Sequence, residues 1–142
     1  MEQIIIFFPV IGLVTWTFFV LLMIPTFRIR AVFKRMIGIG DFRYGESPNI
    51  PPKYTLPNRN YMNLLEVPVL FYLACVILYV TQQVDMTFLT LSWAYVATRF
   101  IHSLIHMTYN NVNHRFSIFL SSNIVLLIIW IRLFIGLLNQ TT

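Results

Sequence analysis

The stretch that decides the fold reads Arg-Asn-Tyr-Met-Asn-Leu-Leu-Glu-Val-Pro-Val-Leu-Phe and occupies residues 59–71. It opens an apolar segment that continues to about Val80, yet it carries Arg59, Asn63 and Glu66 into that segment. At about 100° of rotation per residue, these three side chains fall within about 60° of one another on a helix. One charged residue at mid-depth in a bilayer costs about 2.5–3.5 kcal/mol, so the polar stripe predicts partners on a neighbouring helix.

The composition predicts an integral membrane protein. Of the 142 residues, 58% are hydrophobic and 11% are charged, whereas soluble domains carry about 25% charged residues. The net charge of +5 comes from basic residues gathered at the ends of apolar segments, as topology determinants are. This distribution argues against a nucleic-acid partner. The single cysteine, Cys75, lies within an apolar segment and cannot form an internal disulfide.

Four apolar segments predict an all-α fold of four antiparallel transmembrane helices in one membrane domain, residues 1–142. The predicted spans cover about residues 4–27, 60–80, 86–109 and 115–138, each long enough to cross about 30 Å of hydrocarbon. The connection between the first two spans covers residues 28–59, and residues 36–58 within it contain most of the glycine and proline of the chain. For residues 36–58 we therefore predict an extended loop without helix, lying over one membrane face.

The distribution of lysine and arginine predicts the orientation of these spans. The 28–59 loop is rich in both residues, and the third connection adds Arg115. The two termini and the second connection contain no lysine or arginine. The positive-inside rule then places the loop in the cytosol and both termini on the other side. A bacterial inner membrane and an endoplasmic reticulum fit this topology equally well.

A second polar stripe runs along the third predicted span. It consists of Tyr95, Arg99, His102, His106 and Tyr109, whose spacings of four, three, four and three keep them within about 80° on a helix. Ionisable groups inside a membrane normally face a partner or a wet cavity. We expect the two stripes to meet in a site that opens to the cytosol and binds an anionic, hydrogen-bonding ligand.

The motifs of these stripes resemble a known family. The pattern Arg-x-x-x-Asn-x-x-Glu-x-Pro at residues 59–68 resembles the second-span signature of the MAPEG superfamily, membrane-associated proteins in eicosanoid and glutathione metabolism. The stretch Arg99-Phe-Ile-His102, followed by a polar turn and Arg115, is similar to the prostaglandin E synthase and microsomal glutathione transferase branches. Arg28-Ile-Arg30 also resembles the basic exit of the first span in that family.

The resemblance implies a homotrimer with glutathione, the cosubstrate, bound between subunits near the cytosolic face. It implies a transferase or peroxidase whose lipophilic electrophile enters from the membrane lipids. Arg115 would be the catalytic residue, because a cation near the sulfur favours the thiolate over a thiol whose free pKa is about 8.5. The residues expected to bind glutathione are Arg28 (from the next subunit), Arg59, Asn63, Glu66, Arg99, His102 and His106.

Two alternatives stay open at this point. Val67, His106 and Phe116 depart from residues that family enzymes often have, which favours a lipid- or partner-binding protein without catalysis. His102 and His106 are four residues apart and could ligate haem or a metal ion. Simpler roles also exist for the same residues: Arg59 could snorkel to the membrane boundary and Asn63 could hydrogen-bond between helices.

Overall fold

The computed structural model describes residues 2–43, 48 and 50–141, and every regular element in them is helical. The α-helices are α1 (Phe7–Phe33), α2 (Pro52–Leu65), α3 (Pro68–Val80), α4 (Met86–Met107) and α5 (Val112–Thr141). A 3₁₀ turn, Gln3–Ile6, leads into α1, and a second one, Ile39–Phe42, follows it. The all-α prediction is confirmed.

Three segments of the described chain are long and apolar enough to cross a membrane. They are Gln3–Phe33, Pro52–Val80 and Val112–Gln140. Large apolar side chains on these segments are exposed along the outside, among them Phe18, Leu22, Leu127 and Phe134. Such a belt suits contact with lipid rather than with water. The 22-residue helix α4 is not among the three, and its inward face carries the polar stripe.

Contacts between side chains fix how the helices run relative to one another. Gln3 meets the backbone of Val84, and Trp16 meets Ser103, so α1 and α4 run in the same direction. Phe7 packs on Tyr79 at 5.0 Å between ring centroids, and Thr17 and Tyr72 line one cavity, so α3 runs antiparallel to α1. Helix α5 returns along α4, because its N-terminal part lies beside His102 and its C-terminal part beside Asp85.

The core forms where these helices face inward. Its fully buried members include Leu13, Leu64, Phe71, Leu78 and Ile129, which come from α1, α2, α3 and α5. Tyr95 of α4 stacks on Phe71 at 4.7 Å between ring centroids. The face of α4 that carries polar residues is therefore packed among apolar side chains. Burial of that face is what brings its histidines and arginine next to α2.

The expectation of an extended segment without helix over residues 36–58 was wrong at its C-terminal end, because α2 already begins at Pro52. Helix α1 also continues past the predicted end of the first span, through Pro25 to Phe33. Pro52 occupies the first helical position. The N–H of a residue there has no intrahelical partner, so a proline at that position costs no hydrogen bond. Pro57 lies inside α2 and forfeits one backbone hydrogen bond, but it is buried in the packing of that helix. Tertiary packing therefore outweighs the local effect of the prolines.

The second predicted span is interrupted in its middle. Helix α2 ends at Leu65, Glu66 has a non-helical ψ of −87°, and α3 begins at Pro68. Proline has no N–H to donate to the carbonyl of residue 64, and its ring crowds that carbonyl, so the helix breaks there. Glu66 lies at this break and not on a continuous helix face.

Candidate functional site

A cleft of about 410 Å³ opens between α2, α4 and the start of α5, and we call it the cleft. It is lined by Leu56, Arg59, Asn63, His102, His106, Asn110, Val112, Arg115, Phe116 and Phe119. Five of the eight residues predicted for the site therefore share one cavity. Its volume lies within the range of about 300–1,000 Å³ that small-molecule sites have.

Helix α2 contributes Arg59 and Asn63 to the cleft, one helical turn apart. The Asn63 amide Nδ2 donates to the Arg59 carbonyl oxygen at 2.9 Å, which holds the amide against its own helix and leaves its side-chain oxygen available. The Arg59 side chain is exposed. These two residues present a guanidinium and an amide to the cavity, groups that recognise carboxylates and peptide bonds.

Helix α4 contributes two stacked histidines. His102 and His106 are both 3% exposed, and their ring centroids lie 6.1 Å apart in an edge-to-face arrangement. His102 also packs on Phe119 of α5 at 5.8 Å. Within the described chain, His106 Nδ1 is buried without a hydrogen-bond partner. Because buried polar atoms are normally paired, this nitrogen is available to a ligand or a water in the cleft.

Arg115 lies in the first turn of α5 and points back to the preceding turn. Its Nη1 donates to Asn110 Oδ1 at 2.8 Å. Asn111 holds the beginning of α5 by accepting backbone N–H bonds from Asn113 at 3.0 Å and His114 at 3.1 Å. Asn110 lines the cleft but was not predicted; it adopts a positive φ of 48°, which asparagine tolerates in turns. The sequence feature that could have indicated this contribution is the asparagine-rich turn before α5.

Arg99 lies beneath the cleft rather than on its wall. Its side chain is fully buried, its Nη2 donates to the Asn63 carbonyl oxygen, and its guanidinium lies 5.6 Å from the Phe119 ring centroid. The α2 break leaves this carbonyl near the helix end, so Arg99 caps α2. Nε and Nη1 of Arg99 have no hydrogen-bond partner among the residues that the structure describes.

Glu66 and Arg28, also predicted for the site, lie outside the cleft of their own chain. Glu66 is exposed at the end of α2, and although its charge acts on Arg99, the two form no ion pair within 4 Å in the described part of the chain. Arg28 is half-buried on α1. Its expected contribution to a neighbouring subunit stays a prediction.

Sequence reasoning missed a buried clamp that holds the walls of the cleft. Ser103 Oγ accepts a hydrogen bond from Asn60 Nδ2 at 2.6 Å and another from Trp16 Nε1 at 2.8 Å. Ser103 and Asn60 are fully buried. These contacts, the Ser103 clamp, join α1, α2 and α4 beside Arg59 and His102, and the only sequence signal was that Ser103 continues the polar stripe of α4.

The haem or metal alternative finds no further ligands among the described residues. No group of three or more histidine, cysteine, aspartate or glutamate side chains gathers there. The described charges of the cleft are instead two guanidiniums, with no carboxylate among its lining residues. Such a lining suits an anionic ligand that also accepts and donates hydrogen bonds.

These features define a class: an all-helical integral membrane protein with a cationic, hydrogen-bonding cleft at the ends of its helices. The family model of the MAPEG family matches residues 5–135, nearly the whole chain, and the chain belongs to that family. The resemblance drawn from the two stripes is thereby confirmed. No curated protein and no solved structure gives a significant match to the chain.

Proposed function

We propose that this protein is a glutathione-dependent transferase or peroxidase that acts on a lipophilic electrophile. The observation that carries the proposal is the shared cavity of Arg59, Asn63, His102, His106 and Arg115. Glutathione bears two carboxylates, two amides and an ammonium group, so a cleft of guanidiniums, amides and imidazoles complements it. Family membership supports the same ligand class.

Each residue of the cleft has its own role in the proposed reaction. Arg59 pairs with a carboxylate through its planar fork, and Asn63 hydrogen-bonds the peptide. Arg115, placed at the mouth by Asn110, lies beside the sulfur and stabilises the thiolate. The imidazole groups of His102 and His106 donate or accept hydrogen bonds at the floor of the cleft. Arg99, which lies below the cleft, holds the backbone at Asn63 in place by donating a hydrogen bond to its carbonyl oxygen.

The assembly is part of the proposal, because the site is incomplete in one chain. Glu66, suited to the ammonium group of glutathione, is exposed outside the cleft, and Arg28 lies on another helix. A homotrimer of four-span protomers, with α4 as the third span, would bring these residues to a cleft at the subunit boundary. In this arrangement the 28–59 segment lies in the cytosol and both termini lie on the opposite side.

The electrophile reaches the sulfur from the bilayer. Phe116 and Phe119 form the apolar wall of the cleft next to Arg115, and Phe116 is 63% exposed on the outside of α5. An apolar molecule in the membrane can therefore approach along α5. The thiolate then attacks an electrophilic carbon, so that a C–S bond forms as the bond to the leaving group breaks, and the leaving group takes a proton from water. With a peroxide, the thiolate attacks one oxygen and the O–O bond breaks, which gives an alcohol and glutathione sulfenic acid; a second glutathione converts the sulfenic acid to the disulfide and water.

The test is to titrate glutathione into detergent-purified protein and to follow the ultraviolet absorbance of the thiolate. We expect a saturable thiolate signal that Arg115→Ala removes. Lys34→Ala, which deletes an exposed cation after α1, is the matched control and keeps the signal. Absence of binding at millimolar glutathione in the unmodified protein would refute the proposal.

A second candidate function is a lipid- or partner-binding protein without catalysis on the same scaffold. Phe116 and Phe119 favour it, because they offer no hydroxyl group beside Arg115. Turnover of chlorodinitrobenzene distinguishes the two functions. Turnover that depends on Arg115 supports the enzyme, whereas a retained lipid with no turnover supports the second candidate.

A further inference from the structure

A second polar cavity, which we call the far pocket, lies at the other end of α5. It has a volume of about 370 Å³ and is lined by the α3–α4 connection, the first turn of α4 and the last turns of α5. Its lining includes Gln83, Asp85, Phe88, Arg132 and Gly136. None of them belongs to the cleft, and the proposed glutathione chemistry makes no use of them.

The far pocket contains one cation and one anion in contact. Arg132 Nη2 donates to Asp85 Oδ2, and the Arg132 guanidinium lies 4.8 Å from the centroid of the Phe88 ring. Asp85 Oδ1 accepts from the Phe88 backbone N–H at 2.8 Å and so caps α4. The two charged side chains are 41% and 45% exposed. Each therefore retains hydrogen-bonding capacity towards the pocket.

The half-buried side chain of Gln83 lines the far pocket. Gln83 Nε2 is buried and has no hydrogen-bond partner in the part of the chain that the structure describes. Its side-chain oxygen packs so closely on Gly136 that a Cβ at that position would overlap it. A buried N–H group without a partner is rare, so this amide points to an acceptor that occupies the pocket.

The position of the far pocket identifies the environment of its ligand. Arg132 follows Arg115 by seventeen residues on the same helix, which is about 26 Å at 1.5 Å per residue. The hydrocarbon core of a bilayer is about 30 Å thick. The surrounding surface of α5 is apolar, with Phe134, Ile135 and Leu138 all exposed. When the cleft lies at one membrane face, the far pocket lies at the boundary between the hydrocarbon and the headgroups of the opposite leaflet, within reach of a long arginine side chain.

We infer that the far pocket binds the headgroup of an aminophospholipid, a lipid that carries both a phosphate and a primary ammonium. The phosphate accepts from Arg132 and from the Gln83 amide, and the ammonium donates to Asp85. The acyl chains follow the exposed apolar face of α5. A zwitterionic headgroup matches a pocket with one charge of each sign better than a purely anionic one does.

The experiment measures which lipid the intact protein retains. Detergent-purified protein is equilibrated in mixed micelles of phosphatidylethanolamine, phosphatidylcholine and phosphatidylglycerol with identical acyl chains, then washed, and its lipids are extracted and quantified by mass spectrometry. We expect phosphatidylethanolamine to be enriched severalfold over the other two. Equal retention of the three lipids, or preference for phosphatidylglycerol, overturns the inference.

Variants test whether the enrichment comes from the far pocket. Asp85→Asn keeps the cap of α4, since asparagine is an equally good cap, but removes the charge for the ammonium. We expect it to abolish the preference over phosphatidylglycerol. Arg132→Gln should lower phosphatidylethanolamine retention about tenfold, the effect of one charge-assisted hydrogen bond. Enrichment that survives both variants overturns the inference.

Gly136→Ala and a thiolate measurement complete the design. The alanine methyl displaces the Gln83 amide without changing charge, so we expect weaker retention of phosphatidylethanolamine. None of the three variants touches the cleft, and each should keep the glutathione thiolate signal of the unmodified protein. This separates a failure of the lipid site from a failure of the proposed function.

Discussion

The cleft and the far pocket each contain an arginine of α5, but the two arginines have different partners. In the cleft, Arg115 contacts the neutral amide of Asn110, and no carboxylate is among the lining residues that the structure describes. In the far pocket, Arg132 is paired with Asp85 and lies over Phe88. The cleft therefore keeps positive charge for a ligand, whereas the far pocket is neutral overall. The two sites should select an anion and a zwitterion, respectively.

The two sites also differ in what holds them in place. The cleft rests on the Ser103 clamp, whose serine and asparagine are fully buried between three helices. The far pocket is held by an ion pair that remains almost half exposed. Exposed ion pairs contribute about 0–1 kcal/mol, and buried hydrogen bonds contribute more when their loss strands a partner. The cleft should therefore be the more rigid of the two.

The largest expected effect tests the charge difference directly. The double variant Arg59→Gln/Arg115→Gln should weaken glutathione binding about 100-fold or more, because it removes two charge-assisted hydrogen-bond donors. Equilibrium dialysis of labelled glutathione against detergent-purified protein measures this change.

Arg132→Gln is the matched control, since it removes an arginine from the same helix at the other end. It should leave glutathione affinity within about twofold of the unmodified protein, since charges separated by well over a Debye length are screened. A loss of binding free energy in Arg132→Gln that is half as large as that of the double variant would show that net charge, and not the cleft, attracts glutathione.

The second prediction tests the difference in rigidity. Ser103→Ala leaves the buried N–H group of Asn60 and the half-buried N–H group of Trp16 without their acceptor, and we expect it to lower the free energy of unfolding by about 1–3 kcal/mol. The single cysteine supplies the measurement, because Cys75 is fully buried and should react with a maleimide only after opening. The variant should be labelled at lower denaturant concentrations than the unmodified protein.

Ser122→Ala provides the control for that experiment. Ser122 is also fully buried, on α5, but its hydroxyl donates only to the Phe119 carbonyl oxygen of its own helix, at 2.7 Å, so its loss leaves no N–H group of another helix without a partner. Its removal should change the free energy of unfolding by less than about 1 kcal/mol. If both serine variants open equally easily, the Ser103 clamp does not hold the cleft together.

Helical spacing predicted the cleft residues that lie on unbroken helices. Asn63 follows Arg59 by four residues, and His106 follows His102 by four, so each pair shares a face whatever the surrounding packing. The same rule misplaced Glu66, because it assumed that the helix continues through Pro68. The break at Glu66 turns that residue away from the cleft of its own chain.

The remaining features depend on tertiary contacts that no local pattern encodes. Pro57 is compatible with a helix only because α2 is packed against the rest of the fold. Arg132 pairs with Asp85, which is 47 residues away along the chain. The Ser103 clamp likewise joins residues from three helices. Such pairs follow from how the helices pack, and a single sequence does not supply that information.

The smallest expected effect concerns the ion pair of the far pocket. Asp85→Ala removes both the cap of α4 and the partner of Arg132, and it should lower the free energy of unfolding by about 1–2 kcal/mol. Asp85→Asn keeps the cap, so its cost should be only a few tenths of a kcal/mol, since the exposed ion pair adds little. Cys75 labelling in denaturant compares the two variants. If the asparagine variant is as unstable as the alanine variant, the ion pair outweighs the cap, and the far pocket is held as firmly as the cleft.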